Sequence, residues 1–295
     1  MLSVIDTHHH FLDPEAHYYP WLNDAGQPPH RYGDHSALKR PYLPADYRRD
    51  TAGVDLLGSV HVEAEWDPRD PVGEMRFIAS QRERSGLPSV AIGQVWLHQP
   101  DAARTLEQLA AFDFVRGVRQ KPRANPAPGG PPGGMTDAAW LEGYARLEPL
   151  GLHYELQTPW WHLPEAARVA GDFPGVRIVI NHAGMPSDRG DEGLRAWRTA
   201  LAAMAAHPHV AIKISGIGEP GGTWRLDANR RVVLEVIDLF GVERCMFGSN
   251  YPVDSLCASF QDIFDGFAAC VAGFSAEERA QLFVENARRI YRIDV

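Results

Sequence analysis

Short apolar runs rich in Val and Ile alternate, from residue 50 onward, with longer segments that carry apolar residues at helical spacing. This alternation is typical of βα units that build a parallel sheet. Together with an apolar run near the N-terminus, it predicts eight strands, at residues 3–8, 56–63, 89–97, 114–120, 152–157, 176–182, 210–215 and 244–249. Eight such units in 295 residues predict one domain, residues 1–295, folded as a single (β/α)₈ TIM barrel.

A doubly wound open sheet is the alternative fold. It often carries a Gly-rich nucleotide loop after its first strand, and here that strand runs into a series of histidines instead. Between and after the strands, helical spacing predicts helices at residues 71–85, 102–112, 136–150, 163–171, 192–207, 229–240, 260–272 and 275–291. Thr136 and Asp137 are candidate caps for one helix start, while Gly151 and Gly241 lie where a helix hands over to a strand.

Two long segments interrupt the alternation of strands and helices. Residues 11–44 are rich in aromatic residues, Pro, His and Gly, and residues 121–135 contain a Pro/Gly-rich run. Neither segment can be helix or strand throughout. Both follow the C-terminal end of a predicted strand, which is the catalytic face of a TIM barrel, so we expect them to form pocket walls or lids.

Composition narrows the class of function. The formal net charge is −9, which disfavours nucleic acid as a partner. The sequence has no run of about 18 apolar residues and no secretion signal at Met1 to Ile5, so we expect no membrane partner and a cytoplasmic protein. Its three cysteines are predicted to be reduced, with Cys245 in the core. A small-molecule substrate and no organic cofactor are expected, and a homo-oligomer is left open.

The strongest chemical signal is the sequence Asp-Thr-His-His-His-Phe at residues 6–11, directly after the first apolar run. Alternation along a strand points His8 and His10 to one side and His9 to the other. Two imidazoles at a strand mouth can bind a divalent cation or polarise a substrate carbonyl. A surface cluster of histidines is the plain alternative.

A set of short motifs in fixed order resembles the amidohydrolase-2 branch of the amidohydrolase superfamily. The motifs are Asp-x-His-x-His at residues 6–10, Tyr-Pro-Trp-Leu at 19–22, Gly-Val-Arg at 117–119, Asn-His-Ala-Gly-Met-Pro at 181–186, Lys-Ile-Ser-Gly at 213–216 and Phe-Gly-Ser-Asn-Tyr-Pro at 247–252. The resemblance covers nearly the whole chain. Members of this branch include sugar lactonases and 2-pyrone-4,6-dicarboxylate lactonase, with aromatic-acid decarboxylases as more distant relatives.

This resemblance implies roles for particular residues. His8, His10 and His182 become the imidazoles of one pocket and the ligands of one divalent metal ion, zinc by preference, at weak or partial occupancy. The residues expected to bind substrate are Trp21, His61, Arg119 and Lys213. Arg119 would bind a substrate carboxylate or another oxyanion, although an ion pair beneath the barrel mouth is the alternative. Glu63 and Glu65 share the His61 face, and Lys213, which shares a face with Ser215, could equally pair with a barrel carboxylate.

Two positions depart from the family pattern. The strand 8 motif usually reads Gly-Ser-Asp-x-Pro, but this chain has Asn250, and an amide cannot take a proton at neutral pH. The strand 6 motif commonly reads Asp-His, and here it begins with Asn181. We therefore expect weaker metal binding and a relocated general base. Asp254 is the candidate base, with a helix N-cap as its alternative role, and His182 is the substitute.

The leading prediction is a hydrolase that opens a small carboxylated or sugar-acid lactone. His8, His10, His182, Asn250 and Asp254 form the predicted catalytic set, under an aromatic loop that contains Tyr18, Tyr19 and Trp21. The second hypothesis is a lyase, either a metal-assisted decarboxylase or a hydratase, that acts on an aromatic or dienoic acid. The third is a non-catalytic barrel that binds a small molecule.

Overall fold

A computed structural model describes residues 1–26, 30–219 and 223–294. Eight parallel strands pair in sequence order, each with the next along the chain. Their bounds are β1 Ser3–His9, β2 Asp55–Val62, β3 Val90–Gln94, β4 Val115–Arg119, β5 His153–Leu156, β6 Ile178–Ile180, β7 Val210–Ile214 and β8 Cys245–Phe247. All eight overlap the predicted strands, and the prediction of a TIM barrel is confirmed.

The barrel closes between β1 and the chain that follows β8. The Asn250 N–H donates to the His8 carbonyl at 2.7 Å, and the His10 N–H donates to the Tyr251 carbonyl at 2.7 Å. The buried Asp6 carboxylate strengthens this seam, because it accepts from both the backbone N–H and the hydroxyl of Ser249 at 2.7 Å. The seam holds the residues after β8 against the histidines of β1.

Eleven α-helices are assigned in the described residues. They are α1 Pro20–Asn23, α2 Pro44–Asp50, α3 Gly73–Ser85, α4 Ala102–Ala110, α5 Ala138–Tyr144, α6 Leu163–Asp172, α7 Asp191–Ala205, α8 Leu226–Phe240, α9 Phe260–Cys270, α10 Ala276–Ala280 and α11 Asn286–Tyr291. A π-helical turn, Gln281–Glu285, joins α10 to α11, so the single helix predicted at 275–291 is interrupted. The short helix α2 was not predicted. No helix in the described part of the chain is long and apolar enough to cross a membrane.

Apolar side chains fill the space between the strands and the surrounding helices. Val60 and Val62 of β2 and Trp197 of α7 are fully buried. Cys245 is buried as predicted. Gly151 and Gly241 have positive φ at the two predicted handovers from helix to strand. Asp137 occupies the N-cap position of α5, but its side chain makes no capping hydrogen bond.

Candidate functional site

Three histidines meet at the C-terminal end of the barrel strands. The His8 ring centroid lies 5.1 Å from that of His10 and 4.5 Å from that of His182. His8 belongs to β1 and His10 follows it, while His182 follows β6 in a 3₁₀ turn. His9 points the other way and stacks on Tyr47 at 4.4 Å, as alternation along the strand predicts. His8, His10 and His182 are called the histidine cluster below.

A cavity of about 310 Å³ opens beside this cluster. Its volume suits a small molecule. Six of its lining residues lie at, or just beyond, the C-terminal ends of six different strands. They are His10, Ala64, Arg119, Gln157, His182 and Asn250. The cavity therefore occupies the face of the barrel on which TIM-barrel enzymes carry their active sites.

The imidazoles of the cluster are neutral at physiological pH. Burial, aided by the nearby Arg119 charge, lowers the pKa of His10 to about 3. Burial and the neighbouring Arg31 also hold the pKa of His182 well below its usual range. His10 Nδ1 lies 2.7 Å from the Val62 carbonyl, which can only accept, so in the neutral ring the proton is on Nδ1 and the lone pair is on Nε2.

His182 is positioned by Ser215 and Gly216, which directly follow β7. Its Nδ1 lies 3.0 Å from the Ser215 hydroxyl. Gly216 has φ of +56°, and a Cβ added there would lie 2.5 Å from His182 Nδ1 and 2.9 Å from an Arg31 nitrogen. A glycine is required at this position because any side chain would collide with both groups.

The histidine cluster has the donor chemistry of a metal site but not its arrangement. Both ring nitrogens of His8 are buried without a hydrogen-bond partner, and neutral imidazoles are common zinc ligands. Within residues 1–26, 30–219 and 223–294, however, no group of three or more His, Cys, Asp or Glu side chains is placed to hold a metal ion. The side chains as they stand do not form a closed ligand set, and zinc binding by the cluster stays a prediction.

Two residues predicted to bind substrate, His61 and Lys213, are buried and do not line the cavity. His61 is buried: its Nδ1 accepts from the Phe11 N–H at 3.1 Å, and its Nε2 lies 3.1 Å from the Glu74 carboxylate. Lys213 is also fully buried, with Nζ 2.8 Å from the Glu155 carboxylate. Neither side chain is part of the cavity wall. Both nitrogens of His61 and the charge of Lys213 have protein partners, and contact of these residues with substrate stays a prediction.

Arg119 reaches the cavity but is held by the protein. Its Nε forms a buried ion pair with Glu63, and one Nη donates to Gln157 at 2.7 Å and Asn181 at 3.3 Å. This is the ion pair that sequence analysis gave as the alternative role of Arg119. The guanidinium still lines the cavity, so it contributes positive charge even though Glu63 occupies part of its fork.

Glu155 on β5 is an interior carboxylate that sequence analysis missed. It accepts from Asn181 Nδ2 and, at 2.7 Å, from the Tyr291 hydroxyl. Burial raises its pKa, but Lys213 and His153 outweigh burial and bring the pKa to about 2. The signal was available, since Glu155 interrupts a short apolar strand. It places an anion beside Asn181, where the family commonly has Asp.

Asn250 likewise binds a carboxylate. Its Nδ2 donates to Asp254 Oδ1 at 2.6 Å, and the Tyr32 hydroxyl donates to the same oxygen at 3.1 Å. Asp254 is buried, and burial raises its pKa to about 6 against the lowering effects of Arg31, Asn250 and Tyr32. The alternative role of Asp254 as the cap of the following helix is wrong, because Ser259 caps α9.

The loop after β1 supplies a wall of the cavity. Trp21 lines the cavity as predicted, and its Nε1 donates to the Ala64 carbonyl at 2.8 Å. Tyr18 and Tyr19 do not line it: Tyr18 donates to Asp24, and Tyr19 is buried in the core. Arg31 of the same loop lines the cavity together with Lys121, which follows β4. Neither cation could be predicted as a site residue, since nothing in the local sequence marks a loop residue that folds back over a barrel.

The chain is similar over its whole length to proteins of known sequence and to a solved structure. The chain is 36% identical over 306 residues to the uncharacterized protein y4mH of Sinorhizobium fredii, with 99% of each chain covered. It is 28% identical over 306 residues to the L-fucono-1,5-lactonase of Burkholderia ambifaria, covering 100% of this chain and 97% of the lactonase. The crystal structure of an amidohydrolase from Burkholderia multivorans with bound Zn superposes with a TM-score of 0.81 at 26% identity, covering 100% of both chains.

The family-level match spans the barrel from β1 to the last helix. The sequence model of the family described as Amidohydrolase matches residues 5–293. This match includes every residue of the histidine cluster and the whole chain between them, and it confirms the resemblance found in the motifs. The chain is a member of the amidohydrolase family, Amidohydro_2.

Proposed function

We propose that this protein is a lactonase that hydrolyses a small carboxylated or sugar-acid lactone. The observation that carries the proposal is a cavity wall with neutral imidazoles, together with a carboxylate directly behind that wall, Asp254, whose pKa is about 6 and which contacts the lining residues Asn250 and Arg31. Acyl transfer to water needs both a group that stabilises a developing oxyanion and a base that is ionised near neutral pH. The similarity to L-fucono-1,5-lactonase over the whole chain also supports a ring ester as substrate.

The imidazoles take the electrostatic role in this mechanism. If the Ser215 hydroxyl donates to His182 Nδ1, the neutral ring carries its proton on Nε2 and can donate to a substrate oxygen. As water adds to the ester carbonyl, the carbonyl oxygen becomes an anion that this donor stabilises. Arg119 and Lys121 also line this cavity, each paired with a carboxylate. Collapse of the tetrahedral intermediate breaks the ring C–O bond, and the departing alkoxide takes up the proton that the base removed from water, which leaves a hydroxy acid and regenerates the base.

Asp254 takes the proton of the attacking water in this proposal. It lies behind the part of the wall formed by Asn250 and Arg31, and its carboxylate is 3.7 Å from the Arg31 guanidinium, too far for a direct hydrogen bond. With a pKa of about 6 it is ionised at pH 7.5 and still basic enough to act. His182 is the other candidate base, but its strongly lowered pKa makes it a poor proton acceptor.

A divalent ion on the histidine cluster would supply Lewis-acid polarisation of the carbonyl. The described donors do not form a closed set, so no step above depends on an ion. Metal content is a separate measurement.

The proposal is tested with purified protein and a panel of five- and six-membered lactones, with acid release followed by a pH indicator. We expect at least one lactone to reach a kcat/KM on the order of 10⁴ M⁻¹s⁻¹, the lower end of typical enzyme values. His10→Asn should lose most of this activity, while His98→Asn, which changes an exposed histidine, should retain it. Folded wild-type protein that hydrolyses no lactone above the uncatalysed rate would contradict the proposal.

A further inference from the structure

Three cations line the cavity, and two of them have a carboxylate partner at close range. Arg119 pairs with Glu63 and Lys121 pairs with Glu65. Each of these charges is therefore largely neutralised before any ligand arrives. The third cation is Arg31, which reaches the cavity from the loop after β1.

The positive charge of Arg31 is balanced much less completely by a protein carboxylate than the charges of Arg119 and Lys121 are. Its Nη2 donates to the Tyr32 hydroxyl at 2.8 Å, and its guanidinium lies over the Tyr32 ring at 4.5 Å. The nearest carboxylate oxygen, Asp254 Oδ1, is 3.7 Å away. In the part of the chain that the structure describes, Arg31 Nε and Nη1 have no acceptor. The side chain is 29% exposed, so these donors are available to a molecule in the cavity.

The Asp254 oxygen that faces Arg31 is already shared. It accepts a hydrogen bond from Asn250 at 2.6 Å and another from Tyr32 at 3.1 Å. A third donor at 3.7 Å adds little to it. Arg31 therefore keeps donors on Nε and Nη1, and among the described residues no carboxylate lies within hydrogen-bond distance of its charge. A carboxylate is the group that a guanidinium with free donors binds most strongly.

We propose that Arg31 binds a free carboxylate of the substrate, and that the preferred substrates are lactones that carry a carboxylate outside the ester ring. This inference rests on the proposed lactonase function and selects one class within it. Arg31, on the loop after β1, binds this carboxylate in place of Arg119, because Glu63 and Asn181 already contact the Arg119 guanidinium. Lys121 contributes less, since Glu65 neutralises it.

The test compares two lactones that differ at one group. D-glucaro-1,4-lactone carries a carboxylate where D-glucono-1,4-lactone carries a hydroxymethyl group, and the rings are otherwise the same. We expect wild-type protein to prefer the carboxylated lactone by about 10- to 100-fold in kcat/KM, the range a charge-assisted hydrogen bond supplies. Arg31→Gln should bring the ratio towards one, mainly through KM, and Arg31→Lys should restore part of it.

Arg123→Gln is the matched control, because it removes one positive charge from an exposed arginine that pairs with Asp137 outside the cavity. It should keep the wild-type ratio. A wild-type ratio near one, or an unchanged ratio in Arg31→Gln, would overturn the role of Arg31 while leaving a lactonase intact.

Calorimetric titration of both lactones gives a reading that does not require turnover. Tighter binding of the carboxylated lactone by wild type than by Arg31→Gln supports the inference even if neither lactone is hydrolysed, a result that would count against the proposed function alone. Equal binding by both proteins, or no binding of the carboxylated lactone, overturns it.

Discussion

Replacing Asp254 with Asn separates catalysis from folding more sharply than any other single change in this site. Asparagine keeps the size and the acceptor oxygen that Asn250 and Tyr32 contact at 2.6 and 3.1 Å. It removes the proton affinity. If Asp254 is the general base, kcat should fall by about 100-fold or more, the range that general-base catalysis supplies. In wild-type protein kcat/KM should rise with pH through about 6, because the carboxylate must be ionised.

The same substitution, Asp254→Asn, should leave folding stability unchanged or raise it, although it lowers turnover. Burial raises the Asp254 pKa from 3.8 to about 6, so the folded state holds the proton more tightly than the unfolded chain does. Folding stability is therefore highest below pH 3.8 with respect to this group and falls as pH rises to about 6. At 1.36 kcal/mol per pKa unit, the ionised carboxylate costs about 3 kcal/mol at neutral pH. Asp254→Asn removes this cost and should unfold at equal or higher urea concentration than wild type.

The assays are steady-state hydrolysis from pH 5 to 9 and urea unfolding at pH 7.5. Asp262→Asn is the control, because it alters an exposed carboxylate bonded to Ser259 at 2.6 Å and should leave turnover unchanged. Unchanged turnover in Asp254→Asn would refute the role of Asp254 as base and leave His182 as the candidate. Lower stability accompanying the lost turnover would refute the electrostatic argument.

Three further substitutions and one metal analysis test other parts of the site. Asn250→Asp places a second carboxylate 2.6 Å from that of Asp254, so the pair should hold a proton to higher pH, and the acid limb of the pH–rate profile should move above 6 with lower activity at pH 7. Glu155→Gln leaves the buried Lys213 without its anion and should cost about 3–5 kcal/mol in urea unfolding at pH 7; in wild type the Glu155 contribution is full above pH 4.5 and is lost as pH falls towards 2. Gly216→Ala should lower kcat/KM about 10-fold or more by displacing the histidine cluster, with a stability cost of about 1 kcal/mol or more for a non-glycine residue at positive φ. Metal analysis of purified protein should find less than one zinc per chain, removable by a chelator, and stoichiometric zinc that survives chelation would contradict the weak site predicted here.

Local patterns predicted the barrel because each strand is a short apolar run and each helix a longer periodic one. The boundaries were less accurate where the backbone leaves the strand early. The strand predicted at 176–182 is only Ile178–Ile180, since His182 and Ala183 adopt positive φ in the turn that follows. Such turns bring catalytic side chains over the barrel mouth, and apolar periodicity carries no information about them.

The histidine cluster could be predicted because its residues belong to motifs at strand ends. The partners of Asn181 and Asn250 could not be predicted as reliably. Asn181 contacts Glu155 across two strands, and Asn250 contacts Asp254 four residues away through a turn. The sequence shows two missing carboxylates, whereas the folded chain shows two amides that each donate to a carboxylate nearby. The first contact depends on the pairing of β5 with β6, and the second on the backbone of the turn after β8, and neither is visible in the order of the residues.

Hydrolysis in water enriched in ¹⁸O, with mass spectrometry of the product, tests the central claim most directly. Attack of water at the ester carbonyl in the cavity predicts one ¹⁸O atom in the new carboxylate and none in the new hydroxyl group. Label in the hydroxyl group, or release of CO₂ instead of a hydroxy acid, would contradict the proposed acyl attack at this site.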